Sequence, residues 1–272
     1  QTGDLNLDGI VNSLDANLLK DSLSKQEEGQ IGTTLTIITT PTPTPTPTGA
    51  STTVGLKFAV MADIHSNTSG LKKMMKKAKT DGMEIVVLAG DLTQNGTTKE
   101  LTEVKKVLND SDMKYQVTAG NHDIRYGLFD NHFGLGYKVV RYPGVKLLLI
   151  NNSSWRGLDY GILKGQKAWI ESEVTECKTI ICIGIMHMPL NHPTSKHVMG
   201  EDKKSAAEEA DWLRKLLIAN RVKEIETGHI HHFATYTLEG IKTNQVGPGT
   251  SSDFSEFTVD NLGNIVRKQI KL

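Results

Sequence analysis

Five times along this sequence a short run, four times an apolar one, stops at a side chain able to donate a lone pair to a metal, and that repetition limits the folds open to it. Residues 58–62, 85–89, 115–119, 147–150 and 180–186 read as buried strands. Leu71, Met74, Met75 and Ala78 recur at helical spacing, as do Leu101, Val104, Val107 and Leu108, and later Ala206, Ala210, Leu213, Leu216 and Leu217. Strands alternating with helices predict an α/β fold, a largely parallel sheet covered on both faces. Turn signals at Gly240, Gly247-Pro248-Gly249 and residues 261–263 separate short β-prone runs in the tail, which is expected to complete a second sheet.

The runs 58–62, 85–89, 115–119 and 180–186 end in Asp63-Ile64-His65, Gly90-Asp91, Gly120-Asn121-His122-Asp123 and His187, and Gly228-His229-Ile230-His231 adds a fifth such group farther on. Carboxyl ends of strands are where α/β folds place their sites, so these groups are expected to meet in one crevice. Imidazoles suit Zn, Fe, Mn or Ni, and carboxylates suit the harder members of that series. An Asp-x-His at a strand end predicts two ligands on one side, with Ile64 turned into the core. A lone histidine such as His132 reads as a core or surface residue. The lysines around residues 72–79 read as the solvated face of a helix, because no aromatic residues interleave them as they would in a nucleic-acid patch.

Upstream, residues 39–48 form a Pro-Thr tract with proline at every second position from 41 to 47, which no folded domain can contain. It divides the chain into a small segment over residues 1–24, a linker over 25–53 and a body over 54–272. The small segment matches an EF-hand calcium loop: oxygens at positions 1, 3, 5, 7, 9 and 12 come from Asp4, Asn6, Asp8, the Ile10 carbonyl, Asn12 and Asp15, with Gly9 at the turn. Ca²⁺ is the expected ion there. Lys plus Arg equals Asp plus Glu at 31 each, which leaves no global field for nucleic acid or an anionic membrane. Residues 1–53 carry six acids against two lysines, −4 there and so +4 over the remainder. No apolar run approaches the roughly 18 residues that span a bilayer. Cys177 and Cys182 have neither redox nor zinc-knuckle spacing and are expected to be reduced core thiols.

The order D-x-H, GD, GNHD, H and GHxH resembles the calcineurin-like metallophosphoesterase family over essentially all of residues 56–250. The resemblance implies a four-layer α/β/β/α sandwich and two divalent transition metals (Fe, Mn, Zn or Ni). It implies that Asp63, His65 and His231 hold one metal, that Asn121, His187 and His229 hold the other, that Asp91 bridges them, and that His122 serves catalysis. Two ions about 3.5–4 Å apart can share and acidify a water and clamp the phosphoryl oxygens during in-line displacement. His122 is then placed to protonate the leaving alkoxide.

Within the family, protein phosphatases carry GDxxDRG, whereas this chain has Gly90-Asp91-Leu92-Thr93-Gln94-Asn95-Gly96 and lacks both the second Asp and the phosphate-gripping Arg. The segment is more similar to the class III cyclic-nucleotide phosphodiesterases, which implies a small phosphodiester as substrate. A phosphomonoesterase or nucleotidase on the same scaffold stays open. Pocket candidates are Trp155, Arg156 and His192, on loops over residues 152–160 and 189–198. Residues 3–24 resemble one half of a type I dockerin, which implies a cohesin partner, cellulosome association and an extracellular or cell-surface address. Only one of the usual two repeats is present, and Ser13-Leu14 replaces the usual hydroxyl pair. A chain acting chiefly as a calcium-dependent cohesin-binding adaptor, with a noncatalytic body, is the alternative from another class.

Overall fold

The computed structural model describes residues 55–153, 165–201 and 203–272; the calcium loop, the linker, Trp155 and Arg156 lie outside the described residues. Two mixed sheets face each other. The first runs β11 (Ile265–Ile270), β10 (Phe254–Val259), β1 (Leu56–Met61), β2 (Ile85–Ala89), β3 (Tyr115–Thr118), with β1, β2 and β3 parallel and β10 antiparallel to β1. The second runs β4 (Lys138–Tyr142), β5 (Val145–Leu149), β6 (Ile181–Ile185), β7 (Glu224–Thr227), β9 (Ile241–Val246), β8 (Phe233–Leu238). Its four central strands are parallel and its two edges antiparallel.

Side-chain alternation assigns the layers. In β1, Phe58 and Val60 enter the core between the sheets, where Phe58 stacks on Phe257 at 5.0 Å. Ala59 and Met61 face the helices α1 (Thr68–Thr80) and α2 (Thr98–Asp110), against Leu71, Met74 and Val104. On the far side, Cys182, Ile225 and Ile241 meet α4 (Lys167–Val174) and α5 (Lys204–Ala219). The result is the α/β/β/α sandwich, with a short α3 (Phe129–Phe133) beside α2. Strands buried on both faces need apolar residues at every position, which is why these segments read as unbroken hydrophobic runs. The lysine-rich face of α1 is solvated, with Lys77 paired to Asp81 and Lys79 to Asp112. Asn67 caps α1 by accepting from Gly70 N, and Thr97 with Glu100 forms a capping box on α2. No helix among the described residues is long and apolar enough to cross a membrane.

Three expectations are corrected. The sheets are mixed rather than one largely parallel sheet, and the tail divides between them: β8 and β9 edge the second, while β10 inserts beside β1 in the first. The strand β7 has the sequence Glu-Ile-Glu-Thr, which carries no apolar run, yet all four residues are buried. Cys177 and Cys182 form a disulfide where a 3-10 turn (Thr175–Lys178) enters β6, instead of remaining thiols.

Candidate metal centre

The strand ends on one side of the sandwich carry the metal-competent residues, but not by strand alternation. Asp63, His65, Asp91, His229 and His231 all have left-handed φ, between 46° and 72°. Such conformations cost about 1–3 kcal/mol each for residues with a Cβ and persist where the surroundings over-determine them. Here they turn the chain inward past the strand ends. Backbone bonds hold the turns together: Asp63 N donates to Gly90 O at 3.1 Å, His65 N to Asp91 O at 3.0 Å, and Gly228 N to His187 O at 3.0 Å. Ile64 does enter the core, as expected. The site therefore draws three turns from the first sheet and two from the second. Gly120 is obligatory, since a Cβ there would lie 2.0 Å from Asp91 N.

Two clusters of donor atoms result. Asp63, His65, Asp91 and His231 form one and Asp91, His187 and His229 another, with Asp91 common to both. In the first, His65 Nε2 lies 3.1 Å from His231 Nε2 and 3.6 Å from Asp91 Oδ2, and His231 Nε2 lies 3.6 Å from Asp63 Oδ1. In the second, His187 Nε2 lies 3.3 Å from Asp91 Oδ2, 3.0 Å from Asn121 Oδ1 and 3.2 Å from His229 Nδ1. Ligands about 2.1 Å from one ion are separated by about 3.0 Å along an octahedral edge and about 3.4 Å along a tetrahedral one. The donor atoms already have these spacings, so the residues present fit a pair of divalent ions. Asp91 Oδ2 is the atom that reaches both clusters.

Neighbouring groups aim the donors. His187 donates from Nδ1 to Ala89 O at 2.9 Å, which directs Nε2 to the centre. The Asp63 carboxylate accepts from His229 N and Asp91 Oδ1 from His122 N, both at 2.9 Å, leaving an oxygen of Asp91 directed to the centre. Burial, with Asp91 nearby, pushes the Asp63 carboxyl up to about 7 despite His187. Burial would raise Asp91 too, but His187 beside it holds that carboxyl well below the usual range. Burial opposes the charge on His187, yet Asp91 and Asp63 bring its imidazole up to about 9. Burial lowers His65 to about 4. The cluster thus holds protons where it has acids side by side, and a divalent cation would supply the same positive charge.

His122 sits edge-on to His65 at 4.6 Å, and its Nδ1 is 2.7 Å from the Gln94 carbonyl. His192 belongs to neither cluster: its Nδ1 accepts from Ser195 N at 2.8 Å, and its ring packs edge-on to Tyr236 and His232. One contributor was not singled out from the sequence. Asp123 is fully buried and accepts from Leu92 N, Thr93 N, the Thr93 hydroxyl and Gly120 N, tying the Asp91 turn to the Asn121 turn. Its place beside Asn121 and His122 in the GNHD run was the available signal.

A sequence profile described as calcineurin-like phosphoesterase matches residues 56–233. A probable cyclic nucleotide phosphodiesterase of Ruthia magnifica subsp. Calyptogena magnifica is 22% identical over 209 residues, 75% of this chain and 84% of its own. A probable glycerophosphodiester phosphodiesterase of Arcobacter nitrofigilis is 24% identical over 163 residues, 56% of this chain and 58% of its own. Among solved structures, a dimetal phosphatase from Danio rerio superposes with a TM-score of 0.58 at 12% identity, covering 81% of this chain and 97% of its own. A purple acid phosphatase from yellow lupin seeds gives 0.60 at 14% identity, covering 80% of this chain and 51% of its own. At those identities the superpositions speak for the fold.

Proposed function

Because the chain belongs to the calcineurin-like phosphoesterase family and is a metal-dependent phosphoesterase, we propose that it hydrolyses phosphodiesters at a centre of two divalent transition metals. Asp63, His65 and His231 would hold one ion, Asn121, His187 and His229 the other, and Asp91 both. The observation that carries this reading is Asp91 Oδ2 standing 3.6 Å from His65 Nε2 and 3.3 Å from His187 Nε2, within reach of both clusters. When bound, two such ions supply Lewis acidity to the phosphoryl oxygens and lower the pKa of water.

The chain's own residues supply the rest. Asp63 and Asp91 keep their donor oxygens in place through backbone N–H groups rather than through flexible side chains. His122 donates from Nδ1 to Gln94 O, which fixes the ring and makes Nε2 the atom for proton exchange with a departing oxygen. The diester preference is supported by the missing Asp-Arg pair in residues 90–96. It is supported as well by the cyclic nucleotide and glycerophosphodiester substrates for which two relatives are named.

The test compares diesters and monoesters having alkyl or nitrophenyl leaving groups, using His122→Ala beside the wild type. General acids contribute about 10²–10⁴-fold. The variant is expected to lose about that much on alkyl diesters, far less on nitrophenyl diesters, and none of its metal. Full rate on an alkyl diester would remove His122 from the acid role. Faster turnover of monoesters by the wild type would favour the phosphomonoesterase or nucleotidase reading.

The Cys177–Cys182 disulfide favours an oxidising compartment. Together with the dockerin-like residues 3–24, it supports a secreted or cell-surface enzyme that binds Ca²⁺ through residues 4–15 and docks on a cohesin domain. Calorimetry of the chain against a cohesin, with and without chelator, tests this. Absence of heat at every calcium level would refute tethering.

A further inference from the structure

The imidazole of His229 has one nitrogen accounted for and one not. Nδ1 lies 3.2 Å from His187 Nε2, on the metal side. The residue is 6% exposed, and its Nε2 is buried with no hydrogen-bond partner among the described residues. Ligation through Nδ1 leaves the proton on Nε2, and a buried N–H without an acceptor costs about 1–3 kcal/mol. Histidine ligands commonly resolve this by donating to a carboxylate.

A carboxylate is close. The His197 ring stacks on His229 at 3.9 Å, nearly parallel at 17°, and His197 Nδ1 lies 2.7 Å from Glu201 Oε2. His197, Glu201 and His229 each offer a donor atom within 4.8 Å of the others. The segment that carries the pair is anchored. Met199 is buried in the core beneath α5, its N–H donates to Pro189 O at 2.9 Å, and a Cβ on Gly200 would fall 2.4 Å from the Ala207 backbone. Glu201 N donates to Val198 O, and His197 N to the Ser195 hydroxyl.

We propose that Glu201, steered by His197, is the outer-sphere acceptor for His229 Nε2–H, and that this pair sets the affinity of the metal position formed by Asn121, His187 and His229. The inference rests on the two-metal reading above. A Glu201 oxygen already lies within 4.8 Å of a ring nitrogen of His229, so a small shift of the carboxylate is enough to bring it to hydrogen-bond distance. A third cation on the same three groups would need the Nε2 lone pair, which ligation through Nδ1 leaves protonated. Glu201 and His197 are therefore positioning residues, acting through His229.

The test is calorimetric titration of the chelator-stripped chain with Zn²⁺ in saturating Ca²⁺. The wild type is expected to take two equivalents. Glu201→Ala and His197→Phe, the latter preserving the stacked ring, are expected to weaken the second by about 10–100-fold and leave the first unchanged. Glu201→Gln, with a neutral acceptor, should fall between. Unchanged second-site affinity overturns the inference, as does equal weakening of both equivalents in both variants. Three wild-type equivalents reduced to two in the variants overturn it in favour of a third ion. A wild type that takes only one equivalent overturns the two-metal reading and this inference with it.

Discussion

Glu226 offers a stability prediction whose sign and slope follow from one buried carboxyl. It lies on β7, the strand that delivers His229 and His231, and is fully buried between the sheets. Its Oε1 accepts from Asn244 at 3.0 Å, while its Oε2 has no hydrogen-bond partner among the described residues. Burial, reinforced by Glu224, raises its pKa well above the ordinary 4.5. The folded chain therefore retains a proton that the unfolded chain releases above pH 4.5. With more protons bound when folded, stability falls as pH rises, by about 1.4 kcal/mol per pH unit until the folded pKa is reached.

Glu226→Gln keeps the acceptor for Asn244 and has no proton to lose. As pH rises above 4.5 its stability relative to wild type should climb, approaching a slope of about 1.4 kcal/mol per pH unit, until the folded pKa of Glu226 is reached. Urea unfolding of the chelator-stripped chains at half-unit pH steps measures this, and the urea slope should be the same in both. Buried acids remote from Glu226 shift both proteins alike and cancel. Parallel stability curves across that range would refute the assignment of a protonated Glu226.

Further outcomes follow from the centre. His187, brought up to about 9 by Asp91 and Asp63 against the effect of burial, must give up a proton to ligate, and Asp63 at about 7 must do so below neutrality. Metal affinity should accordingly rise from pH 6 to 9 with release of protons, seen as buffer-dependent heats in calorimetry; a flat profile would contradict it. Gly120→Ala sets a Cβ 2.0 Å from Asp91 N, so the two turns must part. Displacing ligands by about 1 Å costs about 10²-fold in rate, which diester hydrolysis would report, and an unchanged rate would show the contact can relax.

Much of this architecture is readable in the chain because strands buried on both faces cannot hide their composition. The runs before Asp63, Asp91, Asn121 and His187 are β1, β2, β3 and β6. Helices α1, α2 and α5 follow their apolar spacing. What escaped depends on partners distant in sequence. The strand β7 alternates Glu with Ile and Thr, a pattern proper to an exposed strand, and is buried because Lys242 pairs with Glu224 and Asn244 bonds Glu226. The insertion of β10 between β1 and β11 reflects pairing across some two hundred residues, which no local pattern encodes. The candidate donors were legible as types, whereas their left-handed turns and the support of Asp123, His197 and Glu201 depend on contacts between segments apart in sequence: Asp123 with the turn after β2, and the His197–Glu201 pair with His229 after β7.

The most direct test of a two-metal phosphodiesterase is the rate of diester hydrolysis followed as metal is returned to the chelator-stripped chain, with bound metal counted in the same samples. The stripped chain should be inactive, and activity should track the second equivalent bound, with Asp91→Ala unable to recover at any metal concentration. Hydrolysis that survives chelation, or a chain inactive on every diester with both equivalents bound, would contradict it.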